Sequence, residues 1–310
     1  MRLDLLMENT VLSGVVQDAD ERHMAQGGEM QDGLSALVVE GGAMRGIFAA
    51  GVLDAFLDAG HTGFDRCIGV SAGAVNLAAF LAGQRGRNYK VITDYSCRPD
   101  FINFGKFVRG GHWLDLDWLW EVTIREIRLD LARFAANPVP LTVVTTRVSD
   151  GQPAYIQADA ARLENQIKAS CSVPLAYRGF VSLEGEAMTD GGVADSIPVL
   201  HAYEQGARDI TVVLSRPLGY RKQAPRLPAL VRRLLRATPA LAEAMLRRHE
   251  AYNRAIDFIM APPADCRLHL IVPSSGFRVG RMTTDKACLE EGYRMGMAMA
   301  HAHLERRRQG

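Results

Sequence analysis

The stretch CIGVSAGAVNLAAF, residues 67–80, changes character halfway along. A short apolar run ends at Gly69-Val70, one hydroxyl residue follows, and after Gly73 the apolar positions take up helical spacing. A strand that gives way to a helix in so few residues needs a sharp turn, and small flanking residues let backbone and helix approach closely. Gly69-Val70-Ser71-Ala72-Gly73 fits G-x-S-x-G, a turn that leaves the serine oxygen exposed at the N-terminus of the following helix. The free N–H groups and positive dipole end of that helix favour developing negative charge. The pattern also arises by chance as an ordinary turn in a glycine-rich chain. Its predicted place between strand and helix marks Ser71 as a candidate nucleophile.

The same scheme occurs once before. LSALVVE, residues 34–40, reads as a strand that ends at glycines, and MRGIFAAGVLDAFLDAG, residues 44–60, sets Ile47, Val52, Leu53 and Phe56 along one helical face. Two strand-to-helix junctions about thirty residues apart predict a right-handed crossover between parallel strands. EGGAMRG, residues 40–46, occupies the first junction. Consecutive glycines leave backbone N–H groups unobstructed, and two such donors aimed at one point form an oxyanion hole, each worth ~3 kcal/mol of transition-state stabilisation. A dinucleotide-binding G-x-G-x-x-G fits poorly, because Ala43 stands where the second glycine must admit a pyrophosphate. A purely structural glycine turn is the remaining alternative.

Elsewhere, VPLTVVTTRVSDGQPAYIQ predicts two strands joined at Asp150-Gly151, and GFVSLEGEAMTDGGV a second hairpin turning at Glu184-Gly185, with its return strand ending at Asp190. A helix is expected near 159–170, and short β-rich runs at 209–216 and 266–274, flanked by helices. Residues 84–137 are rich in aromatics and local turns, and read as irregular helices covering the sheet, with Trp113, Trp118 and Trp120 as cover packing. The pattern is that of an α/β layered sheet.

Composition narrows the function. The 36 Lys plus Arg balance 35 Asp plus Glu, so the whole chain carries no strong bias toward nucleic acid or anionic lipid, and none toward nucleic acid is expected. Cys67, Cys97, Cys171, Cys266 and Cys288 are widely spaced without a C-x-x-C pair, which predicts reduced thiols in a cytoplasmic protein and no zinc or redox site. No apolar run approaches the ~18 residues of a membrane span. Residues 1–33 carry seven acids against two arginines and no basic signal start, and read as an N-terminal extension.

Thr189-Asp190-Gly191-Gly192 supplies what Ser71 lacks, since a serine hydroxyl is a weak nucleophile until a positioned base takes its proton. The ordered set GGAMRG, GVSAG and DGG resembles the patatin-like phospholipase family, which carries a glycine-rich oxyanion loop, a G-x-S-x-G elbow and a D-G-G/A motif in that order. IKASCSVPLAYRGFVSLEGEAMTDGGVADSIPV, residues 167–199, and RGIFAAGVLDAF, residues 45–56, extend the likeness across residues 36 to about 215, with a looser likeness in ACLEEGYRMGMAMA. The resemblance implies a three-layer α/β/α sandwich with a mainly parallel central sheet. Residues 34–215 would be the catalytic core, and 216–310 C-terminal helices and a strand completing or capping the same domain. It makes Ser71 the nucleophile and Asp190 its partner in a dyad without histidine. Gly41, Gly42 and Ala43 would form the oxyanion hole, with Arg45 beside it to bind substrate or brace the loop, and Gly46, Gly69, Gly73, Gly191 and Gly192 would be motif glycines. No metal or organic cofactor is implied. The family usually has glycine where this chain has Ala43. A methyl group there is tolerated at negative φ and costs ~1 kcal/mol or more in a left-handed turn.

Of the histidines, only His201 and His269 sit near strand ends or helices that could reach the site. His201 is expected to be packed or at the surface, His269 lies on a short β-rich run, and His301 and His303, two apart on a helix, face different ways and make no metal pair. The implied substrate is a fatty-acyl ester or phospholipid, cleaved by hydrolysis. Acyl transfer at the same site, or a catalytically quiet lipid-binding protein, are the alternatives. Between 221 and 254 nine basic residues face two acids, and Leu227, Leu230, Val231, Leu234 and Leu235 lie beside Arg232, Arg233 and Arg236. Such an arm suits either peripheral contact with an anionic membrane or a cap helix with a solvated basic face.

Overall fold

The structure is a computed structural model that describes residues 33–309, so the expected N-terminal extension, apart from Gly33, lies outside the described residues. Eight strands make one sheet: β1 (Leu34–Val39), β2 (Arg66–Val70), β3 (Leu141–Arg147), β4 (Pro153–Gln157), β5 (Val181–Leu183), β6 (Glu186–Asp190), β7 (Ala207–Val213) and β8 (Arg267–Ile271). Their order is β5-β6-β3-β2-β1-β7-β8, with β4 also paired to β3. The run β3-β2-β1-β7-β8 is parallel throughout, β4 and β6 pair antiparallel with β3, and β5 pairs antiparallel with β6.

The principal helices are α1 (Gly46–Asp58), α2 (Ala72–Leu81), α3 (Leu116–Glu126), α4 (Leu163–Cys171), α5 (Val199–Glu204), α6 (Pro228–Leu234), α7 (Pro239–Met260) and α8 (Lys286–Gln309). Ala36, Leu37, Val38 and Val39 are fully buried, as a strand covered on both faces requires. Alternate residues of β1 face opposite layers. Leu37 and Val39 join Phe48, Leu77 and Leu304 of α1, α2 and α8, whereas Ala36 and Val38 join Ala202, Tyr252 and Ile256 of α5 and α7. The fold is therefore a three-layer α/β/α sandwich. Helix α8 is fastened to α1 by a hydrogen bond from the Tyr293 hydroxyl to Asp54 Oδ2 at 2.8 Å. Residues 84–137 form short helices and a π-helical turn at Val91–Tyr95, with α3 the longest element.

Candidate active site

Parallel strands deliver their C-terminal ends to one edge of the sheet, and the three sequence motifs meet there. The end of β2 and the end of β6 reach neighbouring positions of β3: Val70 pairs with Val144, and Asp190 with Thr145. Ser71, one residue beyond Val70, adopts φ +53° and ψ −125°, the strained backbone of a nucleophile elbow. Glycine is needed around this meeting because there is no room for a side chain. A Cβ on Gly73 would lie 2.4 Å from Val39 O, and one on Gly191 2.1 Å from Val144 O.

Ser71 is 8% exposed and Asp190 4%, and the serine hydroxyl is among the groups that act on the acidity of the carboxyl. Asp190 Oδ1 also accepts the Gly192 N–H at 2.8 Å. Burial pushes the Asp190 carboxyl above the ordinary aspartate value; Arg248, the Ser71 hydroxyl, the Gly192 N–H and Arg281 pull the other way without cancelling the shift. A carboxylate made more basic in this manner is suited to accept a proton from a hydroxyl.

Ser170-Cys171-Ser172, at the end of α4, holds both motifs. Ser170 Oγ accepts the Ser71 N–H at 2.7 Å and donates to Val144 O at 2.6 Å. The carbonyl of Ser172 accepts the Asp190 N–H at 3.1 Å and the Thr189 hydroxyl at 2.6 Å. The SCS run lies inside the family-like segment 167–199, where nothing in the sequence assigns its hydroxyls this task. Two serines on a small, buried helix end were the available signal.

In the glycine loop the N–H groups of Glu40, Met44 and Arg45 are bonded to Val213 O, Arg281 O and Gly42 O. Those of Gly41, Gly42 and Ala43 donate to no acceptor among the described residues. Gly41 lies against Ser71, since a Cβ on it would stand 3.2 Å from Ser71 Cβ. Ala43 has φ +50°, so the turn does need a left-handed backbone and the methyl carries the strain foreseen for that case. Arg45 is buried, with Nε 3.1 Å from Ser215 O, Nη2 3.1 Å from Ser215 Oγ, and Glu40 Oε1 at 4.0 Å. Glu40 Oε2 in turn accepts the Ser215 N–H at 2.6 Å. The two Arg45 contacts to Ser215, together with the Ser215–Glu40 bond, brace the loop against the chain just beyond β7.

From Ser71 and Ala43 a cavity of about 140 Å³ runs beneath residues 84–137, walled mainly by apolar side chains such as Ile92, Leu116, Leu119, Leu129 and Ile167. The aromatic segment read as cover is thus the cavity wall. Trp120 both packs and lines it, its Nε1 donating to Glu164 O at 2.8 Å, while Trp113 packs on Phe104 and Phe107.

The histidines stand apart from this centre. His201 stacks on Tyr155 at 3.5 Å, and His269 Nε2 lies 3.0 Å from Asp209 Oδ1. His303 is buried beside His61 and His269, His301 is exposed, and among the described residues no His, Cys, Asp and Glu cluster suits a metal ion. The basic arm divides. Arg232, Arg233 and Arg236 point outward, with Arg232 paired to Glu243 at 2.7 Å, whereas Lys222 and Arg248 turn inward toward Glu40 and Tyr252. No helix among the described residues is long and apolar enough to cross a membrane.

Comparison with known proteins agrees with the class that fold and motifs define. A family model described as patatin-like phospholipase matches residues 37–203, and a second, a domain of unknown function named DUF6363, matches residues 238–309. The chain belongs to the patatin-like phospholipase family. It is 35% identical over 274 residues to the uncharacterized protein YjjU of Escherichia coli (strain K12), across 86% of this chain and 76% of that protein. Among solved structures, VipD from Legionella pneumophila is similar at 15% identity with a TM-score of 0.45, covering 87% of this chain and 67% of its own.

Proposed function

We propose that the protein is a lipid acyl hydrolase of the phospholipase A or lysophospholipase type, acting through a Ser71–Asp190 dyad. The observation that carries this is a serine on a strained elbow, one residue past a strand that ends beside the strand bearing a buried Asp190, with three uncommitted N–H groups nearby and an apolar cavity opening from it.

Ser71 Oγ attacks the ester carbonyl carbon as its proton passes to Asp190. The N–H groups of Gly41, Gly42 and Ala43 hold the oxyanion. Collapse breaks the bond to the alcohol, which leaves with the proton from Asp190, and the acyl group remains on Ser71. Water then gives a proton to Asp190 and attacks the acyl carbon. Ser71 leaves, retakes that proton, and the fatty acid is released. With a lipid hydroxyl in place of water the same steps transfer the acyl group, so product analysis separates the two outcomes. The test is a fluorogenic fatty-acid ester together with a fluorophosphonate probe. Ser71→Ala should abolish both turnover and labelling; an alanine variant that turns over at the wild-type rate would end the proposal.

The same reading places the protein at an anionic membrane surface on the cytoplasmic side. Leu227, Leu230 and Leu234 on and before α6 are 64%, 47% and 55% exposed, beside outward-facing Arg233 and Arg236. The five cysteines are free thiols, as suits a reducing compartment. Flotation with anionic liposomes tests the contact: charge reversal at Arg233 and Arg236 should release the protein, and unchanged recovery counts against it.

A further inference from the structure

The apolar cavity has a neighbour of opposite character. A second cavity, of about 310 Å³, opens where Glu40 and Arg45 follow β1 and Arg216 and Tyr220 follow β7. This is the switch point of the sheet, with β2 on one side of β1 and β7 and β8 on the other. Crevices outside the carboxyl ends of strands at such a point are where open α/β sheets hold ligands. Lys222, Arg248 and Arg281 complete the charged lining, so five Lys and Arg side chains surround one carboxylate, Glu40.

These cations are held inward without counter-ions to match. Arg45 is 3% exposed, yet its Nη1 has no hydrogen-bond partner, and Arg248 Nε has none either. Arg216 stacks over Tyr220 at 4.3 Å, and Lys222 Nζ lies 4.3 Å from the centre of the Tyr252 ring. Burial drives the Lys222 amine well below its ordinary value, and Arg248, Arg281 and Arg45 add to the shift against the opposing pull of Glu40. Like charges gathered in a partly desolvated crevice raise one another's energy, and an anion would relieve it.

The glycine loop stands between the two cavities. Ala43 and Met44 line the apolar one, Glu40 and Arg45 the basic one, and Arg281 lines both. Arg248 also approaches the dyad, since a Cβ on Gly192 would come within 3.2 Å of its Nη2, and its charge acts on Asp190. Except for Arg45, the cations lie beyond residue 203, where the patatin-like match ends, and Arg248 and Arg281 fall within the second matched region.

We propose that this basic cavity binds the phosphate of a glycerophospholipid substrate, with the acyl chain in the apolar cavity and the scissile ester between them at Ser71. The assignment rests on Ser71 being the nucleophile. Planar guanidinium forks suit phosphate oxygens, and a neutral glycerolipid would leave the four arginines with Glu40 as the one carboxylate of the lining and give Lys222 no anion to favour its charged form.

The test compares mixed micelles of a phosphatidic acid and of the diacylglycerol with the same chains. In wild-type protein the phosphate-bearing lipid should be preferred, and Arg216→Gln combined with Lys222→Gln should cut the ratio of the two kcat/KM values at least tenfold. Both side chains are partly exposed, so the fold should survive the change, which a thermal melt checks. Calorimetry with glycerol 3-phosphate and with inorganic phosphate reads the site without turnover. Binding of glycerol 3-phosphate that is lost in the double variant supports the proposal. An unmoved lipid ratio overturns it, and if inorganic phosphate alone binds and its binding alone is lost, the cavity belongs to the free ion. Failure of Ser71 to take the fluorophosphonate probe removes the hydrolase reading and the substrate role with it, while leaving the calorimetric result to stand by itself.

Discussion

Ser170 Oγ accepts the backbone N–H of Ser71 at 2.7 Å, across 99 residues of chain. The bond fixes the peptide that gives the elbow its positive φ, and the same hydroxyl donates to Val144 on the strand where β2 and β6 meet. Ser170→Ala would leave the Ser71 N–H and one lone pair of Val144 O unsatisfied in a fully buried place, at a cost of ~1–3 kcal/mol in stability. The loosened elbow should lower kcat about tenfold, the scale of ~1.4 kcal/mol in the barrier, with little change in KM. Ser170→Thr, which keeps the hydroxyl, should recover part of kcat, and steady-state kinetics with chemical denaturation decides the matter.

Ala43 is the second strained position. Its φ of +50° is one an L-residue holds at ~1–2 kcal/mol, whereas glycine adopts it freely. Ala43→Gly removes that strain but widens the unfolded ensemble, so the net change in stability should stay within ~1 kcal/mol. Ala43→Val, with a branched side chain at positive φ, should destabilise by more and reduce turnover. Urea melts of the two variants beside wild type give the comparison.

Much of the candidate site was legible in the sequence because its motifs are local. The tight glycine turn, the serine elbow and the acid followed by glycines are each recorded within a few consecutive residues. The doubly covered strands were equally legible, since an unbroken apolar run such as Ala36–Val39 has only one place to go. What escaped is what depends on distant segments. The task of Ser170 needs α4 to end beside β2. The cavity wall needs residues 84–137 to fold over Ser71, and short irregular helices carry no clear period to announce it. Lys222 and Arg248 read as part of one basic arm with Arg232, Arg233 and Arg236. Only the packing of α7 against the sheet separates the inward cations from the outward ones.

The cavity makes a claim about chain length. Leu119 projects from α3 into its wall, and a tryptophan there would occupy much of the 140 Å³. Leu119→Trp should cost ~1–3 kcal/mol by overpacking and shift preference toward short acyl esters, with kcat/KM for a long-chain ester falling at least tenfold relative to a butyrate. A parallel loss on both esters would mean that acyl chains do not enter there.

Stability should also depend on pH through His303. It is 3% exposed, its ring packed among Phe56, His61 and His269, and burial, then His269, Arg307, Arg306 and His61, hold its pKa down to about 3. An unfolded histidine titrates near 6.5, so below that pH the unfolded chain takes up a proton that the native protein refuses. Native stability should therefore fall as pH drops from ~6.5 toward 3, by up to ~1.4 kcal/mol per pH unit. His61, depressed by burial, adds in the same sense. Thermal melts between pH 7 and pH 5 should show the decline, and His303→Leu should flatten it.

Asp190 carries the opposite sign. Its folded pKa is raised, chiefly by burial, so the native state holds a proton more tightly than the unfolded chain, which titrates near 3.9. Whatever stability that proton confers is complete below ~3.9 and is lost as pH rises through the folded value. The buried site therefore works against the ionised carboxylate, which is the form that can accept a proton from Ser71. Asp190→Asn keeps an oxygen to accept the Gly192 N–H and removes the buried charge. The variant should melt higher than wild type at pH 7, lose that advantage near pH 3.5, and turn over ester at least a hundredfold more slowly, the scale of lost general-base catalysis. In wild type the acid limb of kcat/KM should lie above the ordinary aspartate pKa. An asparagine variant that melts lower at pH 7 while its backbone is intact would show that the carboxylate stabilises the fold and is not held there against it.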